Sequence, residues 1–173
     1  MVEEESAYVI RPPRVEDVDA LGALHCQVWR EAYVGLMDDD AFAALTPQRF
    51  ASGWARRMEQ MGPDGHHPNG EHVAVAEHAD QLVGFISVGP AREQEDAPTD
   101  TQLWAINVVS DHLGTGVAQE LMVQVLGERS AYLWVAEGND RAIRFYERNN
   151  FRLDGARATD REDGLVELRM VRH

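Results

Sequence analysis

From Leu103 to Val109 the chain is apolar at nearly every position, and it then breaks into a turn with two glycines followed by a helical pattern. A strand of this kind is covered on both faces, so it belongs in the middle of a sheet with helices packed on it. The helix after the turn places Val117, Ala118, Leu121, Met122 and Val125 on one apolar face, with Gly127 at a C′ position. Strand, glycine turn and helix are thus specified within 25 consecutive residues, 103 to 127.

The flanking segments supply more of both kinds of element. Tyr8 to Pro12 reads as a short strand ended by prolines, and Val15 to Val18 as the acidic start of a helix running to about Tyr33. A second helical stretch carries Phe42, Leu45, Phe50 and Trp54, with Pro47 tolerable only near a start or a break. Gly62 to Gly70 is a loop; His72 to Ala76 and Leu82 to Val88 form a hairpin; Ala91 to Asp100 is an exposed connection. Tyr132 to Val135 is another buried strand, Gly138-Asn139-Asp140 a turn and N-cap, and the helix behind it runs to Asn149. Leu165 to Val171 alternates as a last, half-buried strand. The fold class is α/β (α+β): one domain over residues 1–173, a mixed sheet with helices packed on it.

Charge narrows the function. There are 16 basic and 30 acidic residues, a net charge of −14, which repels a nucleic-acid backbone. Every basic residue is an arginine. A P-loop lysine, a Schiff-base lysine and a lysine general base are therefore excluded. The single cysteine, Cys26, has no intramolecular disulfide partner, the start from Met1 to Ser6 is acidic rather than signal-like, and no run approaches the roughly 18 apolar residues of a membrane helix. A soluble, cytoplasmic protein without a nucleic-acid or membrane partner is expected.

An acidic chain can still hold a diphosphate at the glycine turn. Glycine admits positive φ and close approach, and the first turn of a helix leaves N–H groups without partners at the positive end of its dipole. The plain alternative is a tight strand-to-helix connection. A dinucleotide fold would place a third glycine at position 119, which is Gln, and would place the turn early in the chain.

The following segment supplies context. Asn139, Ala142, Phe145, Tyr146, Glu147, Asn150 and Phe151 resemble the signature Asn-x-x-Ala-x-x-Phe-Tyr-Glu-x-x-Gly-Phe of the GCN5-related N-acetyltransferases (GNAT). The earlier turn resembles that family's Gln/Arg-x-x-Gly-x-Gly/Ala signature, with Leu113 at the Gln/Arg position and Gly116 and Ala118 at the small ones. Residues 103–155 carry the match, with two departures: Leu113 lacks a long polar side chain, and Asn150 replaces glycine. Asn is the next residue able to take the left-handed conformation at C′.

The resemblance implies a GNAT fold with a sheet of about six to seven strands. It implies a bulge in strand 103–109 and a V-shaped splay between it and strand 132–136. It further implies an acyltransferase that moves acetyl from acetyl-CoA, as co-substrate, to a primary amine by direct attack in a ternary complex. The backbone at Val108 would pair with the pantetheine arm and polarise the thioester; N–H groups of Leu113, Gly114, Thr115, Gly116, Val117 and Ala118 would bind the diphosphate; Asn139 would hydrogen-bond along the cofactor. Tyr146 would be the general acid for the leaving thiolate, with Phe145 or Tyr146 turned to the core and the other to the slot. Glu31, Glu77, Asp111 and His112 are the candidate bases. Two rivals stay open: a non-catalytic acyl-CoA-binding or sensing module, and a nucleotide-binding α/β protein.

Arg141, Arg144 and Arg148 share the Tyr146 helix and either meet phosphates or stud an exposed face. Negative charge favours a cationic acceptor, with Glu31, Tyr33 and Asp38 to Asp40 near the region where acceptors enter in this family. His66, His67, His72 and His78 lack the geometry and mixed ligands of a metal site, so no metal is expected. Cys26 is expected to be packing, and the sequence leaves a homodimer open.

Overall fold

The computed structural model describes residues 7–92, 96–159 and 164–173. The acidic start and part of the 91–100 connection lie outside them. Seven strands form one sheet in the order β1-β2-β3-β4-β5-β7-β6: β1 Val9–Arg11, β2 His72–His78, β3 Gln81–Pro90, β4 Thr101–Val108, β5 Ala131–Ala136, β6 Arg152–Thr159 and β7 Val166–Arg172. All pairings are antiparallel except β4 with β5. β4 is fourth of seven, so the apolar strand does lie mid-sheet.

Five helices accompany the sheet among the described residues: α1 Val18–Tyr33, α2 Asp39–Ala43, α3 Pro47–Met58, α4 Val117–Val125 and α5 Asp140–Arg148. The single stretch expected over Phe42 to Trp54 is two helices. The first ends at Ala43; Thr46, in extended backbone, caps the second, its hydroxyl accepting from the Arg49 N–H at 3.3 Å, with Pro47 in the first turn where its missing N–H costs nothing. β6 has no counterpart in the strand order read from the sequence. It is an edge strand, exposed at nearly every position, so no hydrophobic alternation marks it.

One core cluster joins α4 and α5 to the sheet through Leu121, Met122, Leu133, Tyr146, Phe151 and Met170. A second, around Leu21, Leu24, Trp54, Val75 and Phe85, seats α1 and α3. These two helices touch at Gly22, where a Cβ would stand 2.6 Å from the Ala51 Cβ. Under α3, Glu71 is 2% exposed and is matched by an ion pair to Arg57 and by the Ser87 hydroxyl, which donates to it at 2.5 Å. Arg57 in turn lies 4.0 Å over the Trp54 ring. A buried carboxylate is tolerable only with such pairing.

Candidate active site

The site begins where the sheet opens. β4 and β5 are paired only at Gln102 and Tyr132, and there the Tyr132 hydroxyl donates to the Gln102 side-chain carbonyl at 3.0 Å, both residues being buried. Beyond that point the strands part. The bulge falls at Trp104: Ala105 pairs with Ser87 and Leu103 with Val88, leaving Trp104 as the extra residue. The expected bulge and splay are both present.

Splaying leaves the β5-facing edge of β4 without a strand partner. The Val109 N–H donates to the Val83 carbonyl on β3 at 2.9 Å. Main-chain groups alternate sides along a strand, so the Val108 N–H and C=O face the opening. Ile106, Asn107 and Val108 line a slot of about 370 Å³, with Trp134 and Val135 of β5 across from them. β4 was expected to be covered on both faces, yet Trp104 to Asn107 are only half-buried. The slot replaces part of the cover.

The glycine turn forms one end of the slot. A short 3-10 turn, Ser110–His112, leads into it, and the Thr115 hydroxyl donates to the His112 carbonyl at 2.7 Å. Gly114 and Gly116 have φ of +76° and +96°, and a Cβ at either would meet nothing within 4 Å. Glycine is therefore required by backbone conformation, and the space beside it is open. Gly116 is the N-cap of α4 and supplies no side-chain cap, which leaves the first-turn N–H groups from Val117 to Gln119 available to an anion.

The fourth wall is α5. Asn139 caps it, accepting from the Ala142 N–H at 3.3 Å, so its side-chain oxygen is engaged within the protein. At the other end Asn150 takes φ +66°, the Asn150 N–H donates to Glu147 at 3.1 Å and the Phe151 N–H to Tyr146 at 3.0 Å, the bonding pattern of a Schellman C-cap. Asn150 thus does what glycine would. The motif fixes the last turn of α5, and Phe151, fully buried, anchors it 6.0 Å from the Tyr146 ring.

Tyr146 both packs in the core and lines the slot, and Phe145 lines it too, rather than the two dividing these tasks. Burial, with Tyr33 close by, raises the Tyr146 phenol above its ordinary value of 10.0, so it stays protonated throughout the physiological range.

Of the residues singled out from the sequence, Val108, Leu113, Gly114, Gly116, Ala118, Asn139 and Tyr146 line the slot together. Thr115 and Val117 are not on its walls: the Thr115 hydroxyl is turned to His112, and Val117 is 1% exposed in the core. Among the candidate bases only His112 lines the slot. Glu31 is exposed and accepts from Gln27 at 3.0 Å; Glu77 is paired with Arg11 at 2.7 Å; Asp111 stands outside. Tyr33 lines the slot, whereas Asp38 to Asp40 begin α2. Arg141 and Arg148 line it and Arg144 does not.

Sequence reasoning missed Trp29, Asn107 and Trp134 as slot residues. Asn107 carried a signal, being the one polar residue in an otherwise apolar run. His66 and His72 stack at 4.0 Å between ring centroids, and among the described residues no group of three or more His, Cys, Asp or Glu is placed to hold a metal. Cys26 is buried, with burial pushing its thiol up. No helix among the described residues is long and apolar enough to cross a membrane.

This architecture recurs in known proteins. A solved N-acetyltransferase (PaiA) of Thermoplasma acidophilum in complex with coenzyme A superposes with a TM-score of 0.70 at 16% identity, covering 92% of this chain and 97% of that one. A ribosomal-protein-alanine N-acetyltransferase of Brucella melitensis gives 0.68 at 21%, covering 95% and 98%. In sequence, a probable N-acetyltransferase of Mycobacterium tuberculosis is 26% identical over 149 residues, 84% of this chain and 80% of that protein. The sequence profile of the Acetyltransferase (GNAT) family matches residues 29–151, which takes in the end of α1, the splayed strands, the glycine turn and the helix of Tyr146. With the slot and the profile covering the same elements, the chain belongs to the GNAT family of acetyltransferases.

Proposed function

We propose that the protein transfers acetyl from acetyl-CoA to a primary amine by direct attack in a ternary complex. The observation that carries this is the convergence of the unpaired β4 edge at Val108 with the protonated Tyr146 on one slot that ends at the glycine turn. The main-chain N–H groups at the turn hold the diphosphate. The arm lies along the open strand edge and extends the sheet as a β-strand would. The Val108 N–H then donates to the thioester oxygen, where negative charge develops as the amine attacks.

Tyr146 donates its proton to the departing sulfur. An ordinary thiol ionises near ~8.5 and a phenol near ~10, so the phenol arrives protonated and has a proton to share as negative charge builds on sulfur. The amine attacks as the free base; as the tetrahedral intermediate collapses the nitrogen releases a proton to water and the Tyr146 phenolate regains one from water, so that amide and free thiol are the products. The rest of the rate enhancement comes from alignment of the two reactants.

The test has two parts. Coenzyme A at about 100 times its dissociation constant stabilises by about 2.7 kcal/mol, which for a domain of this size raises Tm by roughly 5–10 °C. Thiol release from acetyl-CoA, measured across a panel of primary amines with mass detection of the product, then reads turnover. A thermal shift with no release for any amine supports the acyl-CoA-binding module instead; no thermal shift removes the reading altogether.

A further inference from the structure

Leu113 leaves the diphosphate end of the slot without the long polar side chain usual at that position of the motif, and the residue before it is a histidine held in place on three sides. The His112 N–H donates to the Val109 carbonyl at 3.0 Å, its carbonyl accepts from Thr115 at 2.7 Å, and its Nδ1 lies 2.9 Å from the Tyr8 hydroxyl. The ring also packs edge-on against Tyr8 and His78, at centroid distances of 5.6 and 5.2 Å. It lines the slot beside Leu113 and Gly114.

Because Tyr8 occupies Nδ1, Nε2 is the ring nitrogen left for a ligand, and among the described residues it has no hydrogen-bond partner. Two protonation states put a hydrogen there: the neutral ring that accepts the Tyr8 proton at Nδ1, and the imidazolium. The third, with a lone pair on Nε2, is disfavoured beside an anion. The Tyr8 hydroxyl, able to donate to Nδ1 or accept from it, holds the ring by its far nitrogen, in the way a second-shell partner orients a metal-ligating histidine.

We propose that His112 is a cofactor-binding residue whose Nε2–H donates to the diphosphate of acetyl-CoA, with Tyr8 as its positioning residue. The inference rests on the proposed function. It supplies the side-chain donor that Leu113 does not.

The experiment compares two acetyl donors on the whole protein: acetyl-CoA, and S-acetylpantetheine, which ends before the diphosphate. Dissociation constants for coenzyme A come from calorimetry and kcat/KM from thiol release. His112→Asn, which keeps a polar group near Nδ1 only, weakens coenzyme A binding by about tenfold or more, as expected for losing a hydrogen bond to a charged group. Its kcat/KM falls more with acetyl-CoA than with acetylpantetheine, because only the former carries the diphosphate. His112→Gln, whose amide reaches the Nε2 position, restores most of the affinity. Tyr8→Phe falls between, again with the larger loss for acetyl-CoA, and decides the matter by itself if His112→Asn does not fold.

Unchanged coenzyme A affinity in His112→Asn, or equal losses with both donors, overturns the inference; the second result marks a distorted turn. A wild-type chain that does not bind coenzyme A refutes the proposed function instead, so the two failures are distinguishable.

Discussion

Replacing Tyr146 with Phe removes one oxygen from the residue proposed as the general acid. Tyr146 is 8% exposed and its ring contacts Phe145 and Phe151 at 5.5 and 6.0 Å, contacts that Phe retains. Losing the hydroxyl therefore changes folding stability by about 1 kcal/mol or less, a few degrees in Tm. Catalysis is affected far more. The ordinary gap between phenol and thiol, ~1.5 pKa units, makes full proton transfer uphill by about 2 kcal/mol when sulfur is the base. Burial that raises the phenol acts on the sulfur in the same slot, so this gap does not widen by the whole of the phenol's shift.

Donation into the transition state remains favourable, and general acids contribute about 10²–10⁴ in rate, or roughly 3–5 kcal/mol. The expected result for Tyr146→Phe is a kcat at least about a hundredfold lower, with coenzyme A affinity within about threefold of wild type. Stopped-time thiol release gives kcat and calorimetry gives affinity. Wild-type turnover in the variant would refute the acid role. A parallel loss of affinity and turnover would assign Tyr146 to shaping the slot.

Three further outcomes can be measured. Gly116→Glu has room for a side chain, so the fold survives at a cost of about 1–3 kcal/mol for the positive φ, while the added carboxylate at the turn abolishes the coenzyme-induced rise in Tm; a retained rise would show that the turn is only a connection. Gly22→Val drives side-chain atoms into Ala51 and lowers stability by about 1–3 kcal/mol in urea titration, whereas Gly53→Ala, whose Cβ meets no atom nearer than 4.0 Å, is neutral or stabilising by up to about 1 kcal/mol. His25 sits among Trp29, Phe50, Trp54 and Phe85, and burial first, then Arg57, depress it from 6.5 to about 3. The unfolded chain then binds a proton that the folded chain refuses, so stability is full above pH 6.5 and falls as pH drops toward 3, by an amount on the order of a few kcal/mol; His25→Phe flattens that slope, and an unchanged slope would contradict the assignment.

Local signals made much of this structure legible. The Asn139 N-cap, the left-handed Asn150 and the strand-turn-helix of 103–127 each follow from a residue's own conformational chemistry, and each is where the sequence puts it. β6 was not legible, because an edge strand with both faces exposed has no period to read, and its register with β7 breaks between Leu153 and Arg157. Trp29 recurs at helical spacing with Leu21, Leu24 and Val28 in α1, but periodicity does not say where an apolar face leaves the core and begins to roof a slot. Asn107 and Trp134 escaped for a related reason: a strand's alternation is defined against a neighbour, and β4 and β5 lose each other beyond Gln102 and Tyr132.

The proposed diphosphate site is compatible with a net charge of −14. Long-range repulsion between acidic surface groups and a diphosphate is screened within about 10 Å of salt solution, whereas main-chain donors fixed at the end of α4 act at hydrogen-bond distance and need no reorganisation. Among the described residues the slot is lined by Arg141 and Arg148 and by no carboxylate, so no acidic side chain opposes an anion from its walls. A side chain at Gly114 or Gly116 would resist the positive φ this turn requires.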